Sequence, residues 1–338
     1  MDSITQIALG AAVGEAFLGK KVGYRAAAWG AALGTFPDLD ILINPFVDGV
    51  IELRSHRSFT HSFTFVLLCS PIFGWMINKF HSSLQAGWLA WTKLTFLVFL
   101  THILIDLPTV YGTQIFFPFT NTPYALDFIF IIDPLYTFPL LIGLIVSLIY
   151  KRSSKYQSLP NLIGLSLSTL YLIWGFGIKA HINSVFSANF ENQYGFYEKI
   201  KTVPNGPTTT FWNGYLIKND SVYVSTYSIF DDSTDLEFKV IPRNSHLIEN
   251  RIEERAIETL LWFAQGYYSV QIEDESLMFY DLRFGRDDFW LSDDGNYIWK
   301  NEVLLNDEGE AYTFNQSIPS FNTRSKNISR YWNRIKGQ

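Results

Sequence analysis

Apolar residues come in long runs as far as residue 180 and in shorter alternations after it. Residues 3–19 and 26–43 are two short runs, and longer ones follow at 62–78, 88–106, 134–150 and 161–179. Each of the longer runs approaches the ~20 residues that cross a ~30 Å hydrocarbon layer as a helix. The run 3–19 has neither the basic lead nor the cleavage site of a secretory signal, so it is expected to stay in the folded protein. Gly10, Ala11, Ala12 and Gly14 in the first run, and Gly30, Ala31, Ala32 and Gly34 in the second, predict a tightly packed helical hairpin. Trp75, Trp88 and Trp91 fit an interfacial aromatic belt.

After 181 no run is long enough to span. Residues 221–227, 238–241 and 277–282 read as strands, and 251–266 as one amphipathic helix ending at Gly266. The fold class expected is a mainly α-helical integral membrane domain (1–180) followed by a small α+β soluble domain (181–338).

Composition supports the division. The chain has 338 residues, of which 48% are hydrophobic and only 17% charged, unlike an ordinary soluble protein. A net charge of −6 excludes nucleic acid as the main partner. The single cysteine, Cys69, excludes an internal disulfide and a cysteine-rich zinc site; it reads as a packing residue.

Charge then orients the runs. Lys20, Lys21, Arg25, Lys79, Lys151, Arg152 and Lys155 fall at one set of ends, while Asp38, Asp40, His61, Asp106 and Asp133 fall at the other. Residues 107–133 contain no Lys or Arg. The positive-inside rule puts the basic ends in the cytoplasm and the His and Asp residues, with the domain after 181, outside it. Arg54 and Arg57 are exceptions, and both flank the histidine motif.

That motif carries the candidate chemistry. Ser55-His56-Arg57-Ser58-Phe59-Thr60-His61-Ser62 holds two of the six histidines, and His102 and Asp106 share a helix face at i, i+4. Pro37-Asp38-Leu39-Asp40 adds two carboxylates. Such groups near a membrane are costly unless they bind something, and imidazole with carboxylate suits a divalent metal ion, zinc above all. His56, His61, His102 and Asp106 are the expected ligands. Asp38 and Asp40 are either ligands to a second ion or the base that orients water, and Arg57 would stabilise charge on a phosphoryl or acyl oxygen. The bland alternatives are a helix start capped by Ser58 or Thr60, a buried His102–Asp106 hydrogen bond, and a simple turn at 37–40. His81 reads as a solvated loop residue, and 281–288 as a solvated turn. No Gly-x-Ser-x-Gly elbow, P-loop or dinucleotide fingerprint is present.

The opening MDSITQIALGAAVGEAFLGKK, then FPDLD, SHRSFTHS, THILID, YGTQ and IIDPLYT, in that order, resemble the YdjM family of inner-membrane, metal-dependent hydrolases. The resemblance covers roughly residues 1–180 and implies a multi-pass protein of a bacterial inner membrane. The His102–Asp106 spacing is more loosely similar to one used by zinc phospholipase C and related nucleases. A hydrolase at membrane depth would take a lipid, lipid-linked or phosphoester substrate. Two other classes stay open: an ion-binding or transport protein, and a regulatory or scaffold protein whose outer domain binds a partner.

Overall fold

The computed structural model describes residues 1–150, 154–292, 295–317 and 329–337. Lys151 and Arg152 lie outside the described residues. In chain order the helices are α1 (Ser3–Val22), α2 (Arg25–Thr35), α3 (Gly49–Ser55), α4 (Phe63–Phe80), α5 (Trp88–Asp106), α6 (Pro134–Ile149), α7 (Leu159–Tyr194) and α8 (Arg255–Ala264). Strands β1 (Lys199–Pro204), β2 (Phe211–Lys218), β3 (Ser221–Ser228) and β4 (Lys239–Pro242) precede α8, and β5 (Tyr268–Glu273), β6 (Ser276–Arg286), β7 (Tyr297–Leu305) and β8 (Ala311–Ser317) follow it. The chain forms two compact units: Met1–Leu42 with Ser55–Gly175, and Ile43–Arg54 with Phe176–Gln338.

The first unit is helical. Among the described residues α4, α5 and α7 are long and apolar enough to cross a membrane, while α6, on the run expected to span at 134–150, has 16 residues. Their outer faces stay apolar: Leu67, Leu68 and Ile72 on α4, Phe138 and Ile142 on α6, and Leu167 and Leu170 on α7 are exposed. Such a surface suits hydrocarbon, not water.

The hairpin of α1 and α2 is as tight as its small residues predict. A Cβ on Gly10 would lie 2.2 Å from the Gly30 carbonyl oxygen, and one on Gly34 2.6 Å from that of Gln6. The close approach sets Gln6 and Gly34 side by side at one end of the pair. There α2 gives way to 3₁₀ turns over Phe36–Phe46, because Pro37 cannot serve an α-helical ladder at that point. Phe36 anchors the exit, its ring 4.7 Å from Phe73 and 6.2 Å from Phe99. Trp91 is fully buried in the core beside α4 and is no belt residue, whereas Trp75 and Trp88 are exposed. Cys69 packs against the same core, as expected.

The second unit holds two four-stranded antiparallel sheets, β1-β2-β3-β4 and β5-β6-β7-β8. Two of the segments expected from alternation lie within β3 and β6, and the third overlaps β4, which begins one residue later at Lys239. The amphipathic helix is α8, shorter than expected at both ends; its chain leaves through Gln265 and Gly266 at positive φ. Residues 281–288 are not a solvated turn: Asp281, Arg283, Asp287 and Asp288 are buried, with Arg283 and Asp281 paired at 2.6 Å in β6. Charge density there misled the sequence reading, because each carboxylate is matched by a neighbouring guanidinium or backbone donor. Helix α7 continues past Lys179 to Tyr194, and its buried Phe186 fits against Gly214 of β2.

Candidate metal centre

The site forms where α5 ends, and the sequence dictates that ending. His102 and Asp106 face one way at i, i+4, and Pro108 follows as a helix stop. Both side chains are buried. Gln6, in the tight hairpin, donates to Asp106 Oδ1 at 3.2 Å, and the Gly34 carbonyl lies 2.7 Å from His102 Nδ1. The short turn Phe59–His61, just before α4, delivers His61 to the same place, and the 3₁₀ stretch delivers Asp38.

Asp38, His61, His102 and Asp106 converge, with one ligand atom of each within 4.8 Å of all the others, and this cluster could hold a metal ion. His61 Nε2 is 3.1 Å from His102 Nε2, 3.2 Å from Asp38 Oδ1 and 3.4 Å from Asp106 Oδ2. His102 Nε2 is 3.5 Å from Asp38 Oδ1 and 3.8 Å from Asp106 Oδ2.

The hydrogen bonds behind the rings fix what faces inward. A carbonyl only accepts, so His102 Nδ1 donates to Gly34, and the neutral ring turns a bare lone pair at Nε2 toward the cluster. Thr60 donates its hydroxyl hydrogen to Asp40 Oδ2 at 3.2 Å. Its oxygen is then free to accept from His61 Nδ1 at 3.0 Å, which bares His61 Nε2 in turn. Asp106 Oδ1 is occupied by Gln6, the Met1 amino group and Arg57 Nη2, the last at 3.3 Å. Asp106 Oδ2 is buried with no hydrogen-bond partner. Four acceptor atoms thus point at one another, an arrangement that repels itself unless a cation lies among them.

The titrating groups outside the helices agree. Burial alone would lower His61, but the Asp106 and Asp38 carboxylates beside it outweigh this and raise it. Burial alone would raise Asp38, but His102 and His61 hold it well below the usual carboxylate range. Both shifts favour positive charge at the centre of the cluster.

The expected residues therefore arrive in a different arrangement. Three of the expected ligands, His61, His102 and Asp106, come together, and Asp38, expected either on a second ion or as the base that orients water, completes the four. His56 stands outside them, its Nδ1 3.0 Å from Asp40 Oδ1 and its side chain 23% exposed. The reason lies in the five-residue spacing: the chain turns at Arg57, whose φ is +57°, and the two rings end with centroids 6.1 Å apart. Asp40 is held below its usual value because the hydrogen bond and charge of His56 outweigh the effect of burial. It also accepts from Arg57 N at 3.0 Å. Arg57 is buried, its Nη1 3.0 Å from Thr109 Oγ1 and its guanidinium 5.0 Å from the Tyr111 ring centre. His81, far from a solvated loop residue, accepts from Trp29 Nε1 at 2.8 Å and stacks on Trp91.

Gln6 and Thr109 were not among the expected site residues, and Thr60 and Gly34 were expected only as a helix cap and a packing residue. Only Gln6 carried a signal, as an amide inside an apolar run.

A family model described as YdjM inner membrane protein matches residues 1–182. The chain belongs to the YdjM family. It is a membrane protein, and all residues of the YdjM cluster lie within the matched segment. Over 141 residues it is 33% identical to "Uncharacterized protein YfhP" of Bacillus subtilis (strain 168), covering 40% of this chain and 42% of that protein. The match thus spans less than half of that relative. No solved structure matches.

Proposed function

We propose that this YdjM protein is a membrane-bound hydrolase in which Asp38, His61, His102 and Asp106 hold a divalent metal ion, zinc first, and which acts on a phosphoester or lipid-linked substrate. The observation that supports it best is the shape of the four-acceptor cluster. With ligand bonds of 2.0–2.1 Å, a tetrahedral zinc site has ligand–ligand edges of about 3.4 Å. Five of the six edges here run from 3.1 to 3.8 Å.

A divalent ion so held acts as a Lewis acid and lowers the pKa of water to about 7. The protein's own groups divide the rest. Asp106 and the two histidines are held rigid by Gln6, Arg57, Gly34 and Thr60, as ligands generally need to be. Asp38, 18% exposed, is the most open of the four side chains, so substrate approaches from its side. His56, held by Asp40 through Nδ1 and 23% exposed, keeps Nε2 for moving the proton to or from the reacting oxygen. Arg57 spends Nη1 and Nη2 on Thr109 and Asp106, while its buried Nε has no hydrogen-bond partner. That Nε is the group left to meet charge on a phosphoryl or acyl oxygen.

The burial of His61, His102 and Asp106 also suits the rival reading of an ion-binding or transport protein. Purified protein assayed on phosphoester and phospholipid substrates, before and after chelation and zinc return, separates the two. Turnover lost on chelation and restored by zinc supports the hydrolase. A metal-loaded protein inert on every ester, but carrying ions across vesicles, supports the rival.

A further inference from the structure

We infer that the C-terminal unit positions the metal centre by gripping residues 43–54 as a strap. The chain crosses into the second unit after Leu42 and returns before Ser55. Asp38 and Asp40 come just before the first crossing, and His56 and Arg57 just after the second.

The grip is built from one face of α8. Arg255, Glu258, Thr259 and Trp262 lie at i, i+3, i+4 and i+7, so they line a single stripe. Arg255 grips Asp48 bidentately, Nη1 to Oδ2 at 2.7 Å and Nη2 to Oδ1 at 3.1 Å. Arg54 Nε donates to Thr259 Oγ1 at 2.7 Å, its Nη2 to Glu258 Oε1 at 3.1 Å, and its guanidinium lies 5.2 Å from the Trp262 ring centre. Val50 and Leu53 are buried, and a Cβ on Gly49 would fall 2.3 Å from the Phe314 carbonyl oxygen. The other face of α8, Ile257, Leu260 and Phe263, is buried in the unit. A face that reads as solvated in the sequence is therefore committed to the strap.

Connectivity turns this grip into a positioning device. From Arg54 to His56 is two residues, a reach of at most about 7 Å. A shift of the strap by a few ångströms is passed on to His56 and to Arg57, whose positive φ persists only while its surroundings hold it. Displacements of about 1 Å at catalytic groups can cost about 100-fold in rate.

Because this presupposes the metal centre, the test uses a readout that needs neither metal nor turnover. Amide hydrogen exchange is followed in the full-length protein in detergent. Arg255→Glu should speed exchange at 43–54 and, with it, at 55–62, by about tenfold. Asp48→Arg combined with Arg255→Glu should restore both, and zinc affinity should follow the same order. Thr259→Val serves as a milder variant should Arg255→Glu fail to fold. The inference is overturned if 43–54 loosens while 36–42 and 55–62 keep wild-type exchange, or if no variant loosens 43–54 at all.

Discussion

At the scale of single residues, the two histidines of SHRSFTHS part company. His61 faces Asp38, His102 and Asp106, while His56 faces Asp40. His61→Ala and His102→Ala should therefore both lose bound metal, by more than the 10- to 100-fold typical of groups that only orient a ligand. His56→Ala should keep the metal and lower turnover by about 10²–10⁴. Metal content and initial rates on the same preparations check this, and a His56→Ala protein without metal would return His56 to the ligand set. The sequence revealed which residue types gather but not their partition. That depends on the turn at Arg57 and on Thr60 linking His61 to Asp40, and neither detail has a periodicity to read. His81 was missed for a related reason: its partner Trp29 lies 52 positions away.

At the scale of elements, the site depends on how closely α1 and α2 approach. A Cβ on Gly30 would lie 2.1 Å from the Gly10 carbonyl oxygen, so Gly30→Val must push the helices apart. The expected cost is about 1–3 kcal/mol, seen as a lower melting temperature in detergent, with weaker metal retention because Gln6 and Gly34 move off Asp106 and His102. Unchanged melting and metal content would mean that the hairpin does not set the site. This hairpin was legible because small residues recur along both runs. The strap was not, because the partners of Asp48 and Arg54 are more than 200 residues away. Burial alone would raise Asp48, but Arg255 outweighs it and depresses the carboxyl. The stability linked to that pair is therefore fully present above the unfolded value of about 4 and lost as pH falls through the depressed folded value. Protection of 43–54, corrected for intrinsic exchange, should drop across that window in the wild type and show no such step in Asp48→Asn.

At the scale of the whole molecule, the change from apolar runs to alternating strands announced the helical and α+β parts. What it did not announce is that 43–54 groups with the later residues, since a short segment between two apolar runs reads as a plain loop. Orientation rests on charge: residues 107–133 carry no Lys or Arg, whereas Lys20, Lys21 and Lys79 sit at the opposite helix ends. Reporters fused after Asn121 and at the C-terminus should both be active only outside the cytoplasm, and cytoplasmic activity at both would invert the topology. The central claim, that Asp38, His61, His102 and Asp106 hold an ion, meets its most direct test in elemental analysis of the purified full-length protein beside His102→Ala. About one equivalent of a divalent metal per folded wild-type chain, absent from the variant, is the predicted result. A folded wild type without metal, or a His102→Ala protein carrying as much as the wild type, would contradict it.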